Sequence, residues 1–123
     1  MAPAAARTLL IVEDDDAVRE FFSTVLRAAG YRVVDVNDGM DALRWIDQHI
    51  PALVVLDLHL QRLSGLDLHR ELQAHARTRQ IPVVVVTGAD TGALDREGLA
   101  CVLHKPVTAD ALLDAVSRCL RTH

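Results

Sequence analysis

The chain is poor in cysteine, aromatics and lysine, and each scarcity excludes something. Its two cysteines, Cys101 and Cys119, form no C-x-x-C pair and are too few for a disulfide framework or a zinc site. A reducing cytoplasm is the expected setting. No apolar run reaches the ~18 residues a membrane span needs. The opening MAPAAARTLL also lacks a basic stretch followed by a long apolar core. Neither secretion nor membrane insertion is expected. Only 3% of residues are aromatic, and the formal net charge of −4 comes without a basic stripe, so direct nucleic-acid binding is not expected either. Among thirteen basic residues the only lysine is Lys105. An ammonium on a flexible stem is a compact point charge, unlike a planar guanidinium, and its solitary use calls for a reason.

What the chain does have is half its residues hydrophobic over 123 positions, enough for one domain, 1–123, with a core from about 8 to 121. Short β-branched runs, TLLIV (8–12), YRVVDV (31–36), ALVVLD (52–57), PVVVVT (82–87) and ACVL (100–103), read as strands buried on both faces. Between them, helical spacing groups Val18, Phe21, Phe22, Val25 and Ala29, then Ala42, Leu43 and Ile46. Further on it groups Leu68, Leu72 and Ala76, and finally Leu112, Leu113, Val116 and Leu120. Asp16, Ser64 with Asp67, and Thr108 stand where N-caps belong, and Gly30 where the first helix ends. Strands alternating with helices predict an α/β fold: a doubly wound, five-stranded parallel sheet of order 2-1-3-4-5 with helices on both faces, flavodoxin-like. The segment GADTGALDREGL between the fourth and fifth strands leaves room for only a short fourth helix.

That strand order opens a crevice at the carboxyl ends of strands 1 and 3. Strand 1 runs into Glu13, Asp14, Asp15 and Asp16, strand 3 ends at Asp57, strand 4 at Thr87, and strand 5 leads into Lys105. Glu13, Asp14 and Asp57 together offer hard anionic oxygens suited to Mg²⁺ or Mn²⁺. Asp15 is read as a solvent-facing loop acid. His59 and the other five histidines are read as surface residues, and both cysteines as apolar fillers.

LLIVEDDDAVRE, PALVVLDLHLQRLSGLDL, IPVVVVTGAD and VLHKPVTADAL, in this order and spacing, resemble the successive signatures of the response-regulator receiver domain, the CheY-like phosphoacceptor of two-component signalling. The resemblance spans about Thr8 to Leu120. It implies phosphorylation of Asp57 by a sensor histidine kinase or histidine phosphotransfer protein. It further implies Mg²⁺ (or Mn²⁺) on Asp14, Asp57 and the backbone carbonyl of His59, with Glu13 acting through water. Thr87 and Lys105 would each contact a phosphoryl oxygen, and the Lys105–Pro106 bond is expected to be cis. Output would pass through protein contacts on the face of the fourth helix, fifth strand and last helix. A domain acting alone is the simplest expectation.

Three departures from the family pattern stand out. Gln61 replaces a usual proline, which predicts a more mobile loop after Asp57. Val102 stands where the family often has an aromatic switch residue. Eighteen positions separate Thr87 from Lys105, fewer than usual. Two other functions share parts of this pattern: a metal-dependent phosphohydrolase, which would want a second acid where His59 stands, and a receiver-like interaction module that works without phosphorylation.

Overall fold

A computed structural model describes residues 7–88 and 99–122. In chain order the elements are β1 (Thr8–Val12), α1 (Asp16–Ala28), β2 (Arg32–Val36), α2 (Gly39–Gln48), β3 (Leu53–Asp57), α3 (Gly65–Ala74), β4 (Val83–Thr87), β5 (Leu99–His104) and α4 (Ala109–Thr122). The strands form one parallel sheet of order β2-β1-β3-β4-β5, as the alternating pattern predicts. The short helix expected between β4 and β5 falls at residues outside those described.

Strand periodicity divides the core. Leu9, Ile11, Leu53, Val55, Val84 and Val86 face α1 and α4, where Phe22, Leu26, Leu112 and Val116 cover them. Leu10, Val12, Val54, Leu56, Val83 and Val85 face the opposite way, against Ala42 and Ile46 of α2 and Leu68 and Leu72 of α3. From Leu9, Leu53 and Val83 onward the three central strands are therefore apolar at every position up to their polar ends. The edge strands depart from the expected burial on both faces: β2 is only partly buried, with Arg32 exposed, and β5 is partly buried from Cys101 to Leu103, with His104 exposed.

Several expectations need correction. The N-cap of α1 is Asp15, not Asp16; the Asp15 carboxylate accepts from Val18 N–H at 3.0 Å, so Asp15 is not an idle loop acid. Asp16 is instead the first helical residue and pairs with Arg19 at 2.6 Å, where a carboxylate also suits the positive end of the helix dipole. Phe21 is 44% exposed, and the buried stripe runs through Phe22 to Leu26 one turn later. Ala76 lies beyond the end of α3 and is exposed. There the Thr78 hydroxyl donates to the Leu72 carbonyl at 2.7 Å and satisfies a helix-end acceptor. His69 on α3 is buried, contrary to its reading as a surface residue. Ser64 and Thr108 do cap their helices, through Asp67 N–H and Ala111 N–H, each at 3.1 Å. Gly30 takes the positive φ of 98° that ends α1.

Candidate functional site

At the carboxyl end of the sheet the chain leaves the hydrophobic core and meets water through acids. β1 runs straight into Glu13, whose N–H still donates to Val36 O at 3.1 Å as if the strand continued. That ladder bond holds the carboxylate inside, 1% exposed, while Asp14 is half-buried. Asp57, the last residue of β3, is 5% exposed. Carboxylate oxygens of Glu13, Asp14 and Asp57 lie within 4.8 Å of one another. Acids from two distant stretches of sequence, Glu13 with Asp14 and Asp57, thus converge as the strand order predicts.

Glu13 and Asp57 are held by local contacts. Oε2 of Glu13 accepts from Asp15 N–H at 3.1 Å, and the Glu13 carbonyl accepts from Arg19 Nη1 at 3.0 Å. Oδ1 of Asp57 accepts from His59 N–H at 3.0 Å, which fixes the carboxylate against its own loop. Lys105 reaches in from the end of β5. Its Nζ is 2.8 Å from Glu13 Oε1, off the line of a hydrogen bond, and 3.5 Å from Asp57 Oδ2. The Lys105 N–H donates to Thr87 O at 3.0 Å, tying the ends of β4 and β5 together, and the Lys105–Pro106 bond is cis. Thr87 is fully buried, one residue past Val86, the register partner of Asp57.

The electrostatics follow from this crowding. Burial pushes the Glu13 carboxyl up to about 7; Lys105 opposes the rise and neighbouring Asp57 adds to it. Burial alone would lower the Lys105 ammonium, but the opposite charges of Glu13 and Asp57 outweigh it and hold the lysine above its ordinary value. Three carboxylates against one ammonium leave surplus negative charge, which a hard divalent cation with oxygen preference suits. The donor set therefore fits such an ion.

Other features were not foreseen. Arg62, in the loop after Asp57, has φ of 66° and pairs with Asp38 at 2.6 Å and Asp41 at 3.2 Å, in the first turn of α2. Asp38 also caps α2 by accepting from Asp41 N–H at 2.8 Å, a role that its position just before Gly39 and the apolar face of α2 could have signalled. These bonds pull the Asp38 carboxyl below its ordinary value against a burial effect that raises it. The loop in which Gln61 predicts mobility is thus tied to a helix by its neighbour. His59 is exposed at the mouth, and Val102 packs partly buried against the α2–α3 side of the sheet.

Comparison with known proteins agrees with this geometry. Residues 9–117 match the family described as the response regulator receiver domain. A curated relative, the polar-differentiation response regulator DivK of Brucella ovis, is 26% identical over 114 residues, covering 89% of this chain and 93% of that protein. Among solved structures, the signal receiver domain of a signal transduction histidine kinase from Syntrophus aciditrophicus superposes with a TM-score of 0.87 at 27% identity, covering 94% of this chain and 91% of the other. The receiver domain of a sensor histidine kinase from Pseudomonas aeruginosa PAO1, with a magnesium ion coordinated in its active-site cleft, gives 0.84 at 28% identity, covering 94% and 98%.

Proposed function

The chain belongs to the response-regulator receiver domain family, and we propose that it accepts a phosphoryl group on Asp57 and signals through protein contacts. The observation that carries this reading is the convergence of Glu13, Asp14 and Asp57 with Lys105 at the carboxyl ends of the strands. Asp57 supplies the nucleophile: a carboxylate oxygen bonds to phosphorus as the bond to the donor's leaving atom, a histidine nitrogen or an acyl oxygen, breaks. The product is an acyl phosphate on Asp57.

Little covalent work falls to the protein in such a transfer, which depends on in-line positioning and charge neutralisation. Asp14, Asp57 and the His59 carbonyl would hold Mg²⁺, the ion seen in the Pseudomonas relative, or Mn²⁺, with Glu13 acting through water. A cation held there would supply positive charge against the phosphoryl oxygens and between the carboxylates and the incoming anion. Lys105 leaves its pairing with Glu13 to meet one phosphoryl oxygen, and Thr87 donates its hydroxyl to another. Exposed His59 borders the path of attacking water.

The donor would be a sensor histidine kinase or a histidine phosphotransfer protein. Output is assigned to the side of the domain carrying β5 and α4; the rest of that expected face falls at residues outside those described. No described helix is long and apolar enough to cross a membrane, and one domain over 1–123 accounts for the reading. The test is incubation with acetyl phosphate and Mg²⁺ followed by intact mass. One phosphoryl mass is expected on the unaltered chain and none on Asp57→Asn. Equal uptake by both would move the acceptor elsewhere, and no uptake by either would favour an interaction module that works without phosphorylation.

A further inference from the structure

We infer that Arg62 is a positioning residue for the cation site, holding the loop that carries the His59 carbonyl through a charged fork onto the first turn of α2. The inference rests on the proposed function, because that carbonyl is a ligand only if the cation binds as described there.

Four observations meet at this residue. First, Arg62 stands at φ 66°, a left-handed conformation that a residue with a Cβ adopts only when its surroundings over-determine it. Second, the surroundings do so: Nε donates to Asp38 Oδ2 at 2.9 Å, and Nη2 lies 2.6 Å from the same oxygen and 3.2 Å from Asp41 Oδ1. One planar guanidinium thereby grips two acids of one helical turn, a task suited to arginine. Third, the next loop residue, Leu63, is pressed against Gly39 so closely that a Cβ there would fall 2.8 Å from Leu63 Cβ. The loop and α2 therefore meet as a fitted contact as well as an ion pair. Fourth, Arg62, Asp38 and Gln61 line a polar cavity of about 270 Å³ together with Asp14, one of the three converging acids.

The loop between Asp57 and α3 is thus pinned at both ends. At one end the Asp57 carboxylate accepts from His59 N–H; at the other Gly65 N–H donates to Leu58 O at 3.1 Å. Between those bonds the side chain of Arg62 reaches out to α2. Removing it would leave the carbonyl at His59 free to sample orientations that do not point at the acids, so that the cation would have to order the loop as it binds.

Positioning and simple charge make opposite predictions. Arg62 is a cation near a cation site, so through-space electrostatics alone would make its removal tighten Mg²⁺ binding. Positioning makes its removal weaken binding. The test is Mg²⁺ titration by calorimetry of the full chain as Arg62→Asn, Asp38→Asn and the double variant. Asn tolerates the left-handed backbone at position 62, and at position 38 it keeps the helix cap while losing the charge.

Arg62→Asn is expected to weaken Mg²⁺ binding roughly three- to tenfold, short of the ~10–100-fold typical of direct partners of a metal ligand. The double variant should be no weaker than the poorer single one, because both break the same fork. Amide exchange over residues 58–64 should quicken in Arg62→Asn before any Mg²⁺ is added. A merely structural loss would lower the melting temperature and leave the affinity of the folded protein alone. Arg62→Asn binding Mg²⁺ as tightly as the unaltered chain or more tightly, or a double variant returning to its affinity, overturns the inference and leaves the proposed function standing. An unaltered chain that binds no Mg²⁺ overturns both.

Discussion

Lys105 Nζ stands 2.8 Å from Glu13 Oε1. The same ammonium is 3.5 Å from Asp57 Oδ2, so the only lysine of the chain rests nearer the acid assigned an indirect role than the one assigned the chemistry. Burial explains the choice. Glu13 is the more deeply enclosed carboxylate, and an unpaired charge there is costlier than one at the mouth. Lysine therefore stores its charge on Glu13 and has a short distance to travel when a phosphoryl oxygen competes for it.

Stability without divalent cation should fall as pH rises through the range in which Glu13 titrates. The folded-state value, about 7, lies above the ordinary 4.5. The folded chain therefore holds a proton that the unfolded chain releases, and stability declines from near the ordinary value up through the folded one. Urea unfolding at pH 5 and pH 8 in chelator should show this decline, and Glu13→Gln should abolish most of it. An unaltered slope in Glu13→Gln would mean that other groups govern this window.

Lys105→Met keeps the apolar stem and removes the charge. Its cost should be about 1–3 kcal/mol at pH 8, where Glu13 without its partner must either ionise unpaired or keep its proton against the solution. At pH 5 Glu13 is protonated and the cost should shrink. A penalty of equal size at both pH values would assign the effect to packing of the stem.

Much of this architecture is legible in the sequence because strands covered on both faces leave plain apolar runs. Leu9 to Val12, Leu53 to Leu56 and Val83 to Val86 are buried at every position, and each run ends at a polar residue that the strand order then carries to one edge. Convergence of Glu13, Asp14 and Asp57 follows from topology alone. Residue type alone cannot place the cap of α1, because consecutive aspartates are equivalent; only backbone direction makes Asp15 rather than Asp16 the acceptor of Val18 N–H. Phe21 reads as a core residue in the sequence because adjacent aromatics blur a period of 3.6. Arg62 left no signal at all, since its partners Asp38 and Asp41 are more than twenty positions away and nothing local marks an ion pair across the fold.

Neighbouring acids should separate cleanly by function. Asp14→Ala removes a proposed direct ligand and should weaken Mg²⁺ binding at least tenfold while barely altering stability. Asp15→Ala removes the cap of α1 and should cost about 1 kcal/mol with Mg²⁺ affinity changed less than twofold, because a screened charge across solvent counts for little beside direct coordination. Calorimetric titration and urea midpoints on the same two variants check both halves. Equal loss of affinity would make the four acids a diffuse field.

Glycines around the site should show a sharp contrast. A Cβ at Gly65 would fall 2.6 Å from Leu58 Cα, and one at Gly39 would fall 2.8 Å from Leu63 Cβ. At Gly65 the obstacle is backbone next to Asp57, so relief requires moving the strand end that presents the carboxylate. Gly65→Ala should therefore cost roughly 1–3 kcal/mol or more and slow phosphoryl uptake from acetyl phosphate as well. Gly88, on the far side of Thr87, has no neighbour nearer than Lys105 Cβ at 4.0 Å. Gly88→Ala should change stability by no more than about 0.5 kcal/mol. Urea midpoints rank the two variants, and intact mass after a fixed incubation reads the uptake. If Gly65→Ala keeps both the stability and the uptake of the unaltered chain, then the junction of β3 and α3 yields more readily than its contacts imply, and close packing there does not set the position of Asp57.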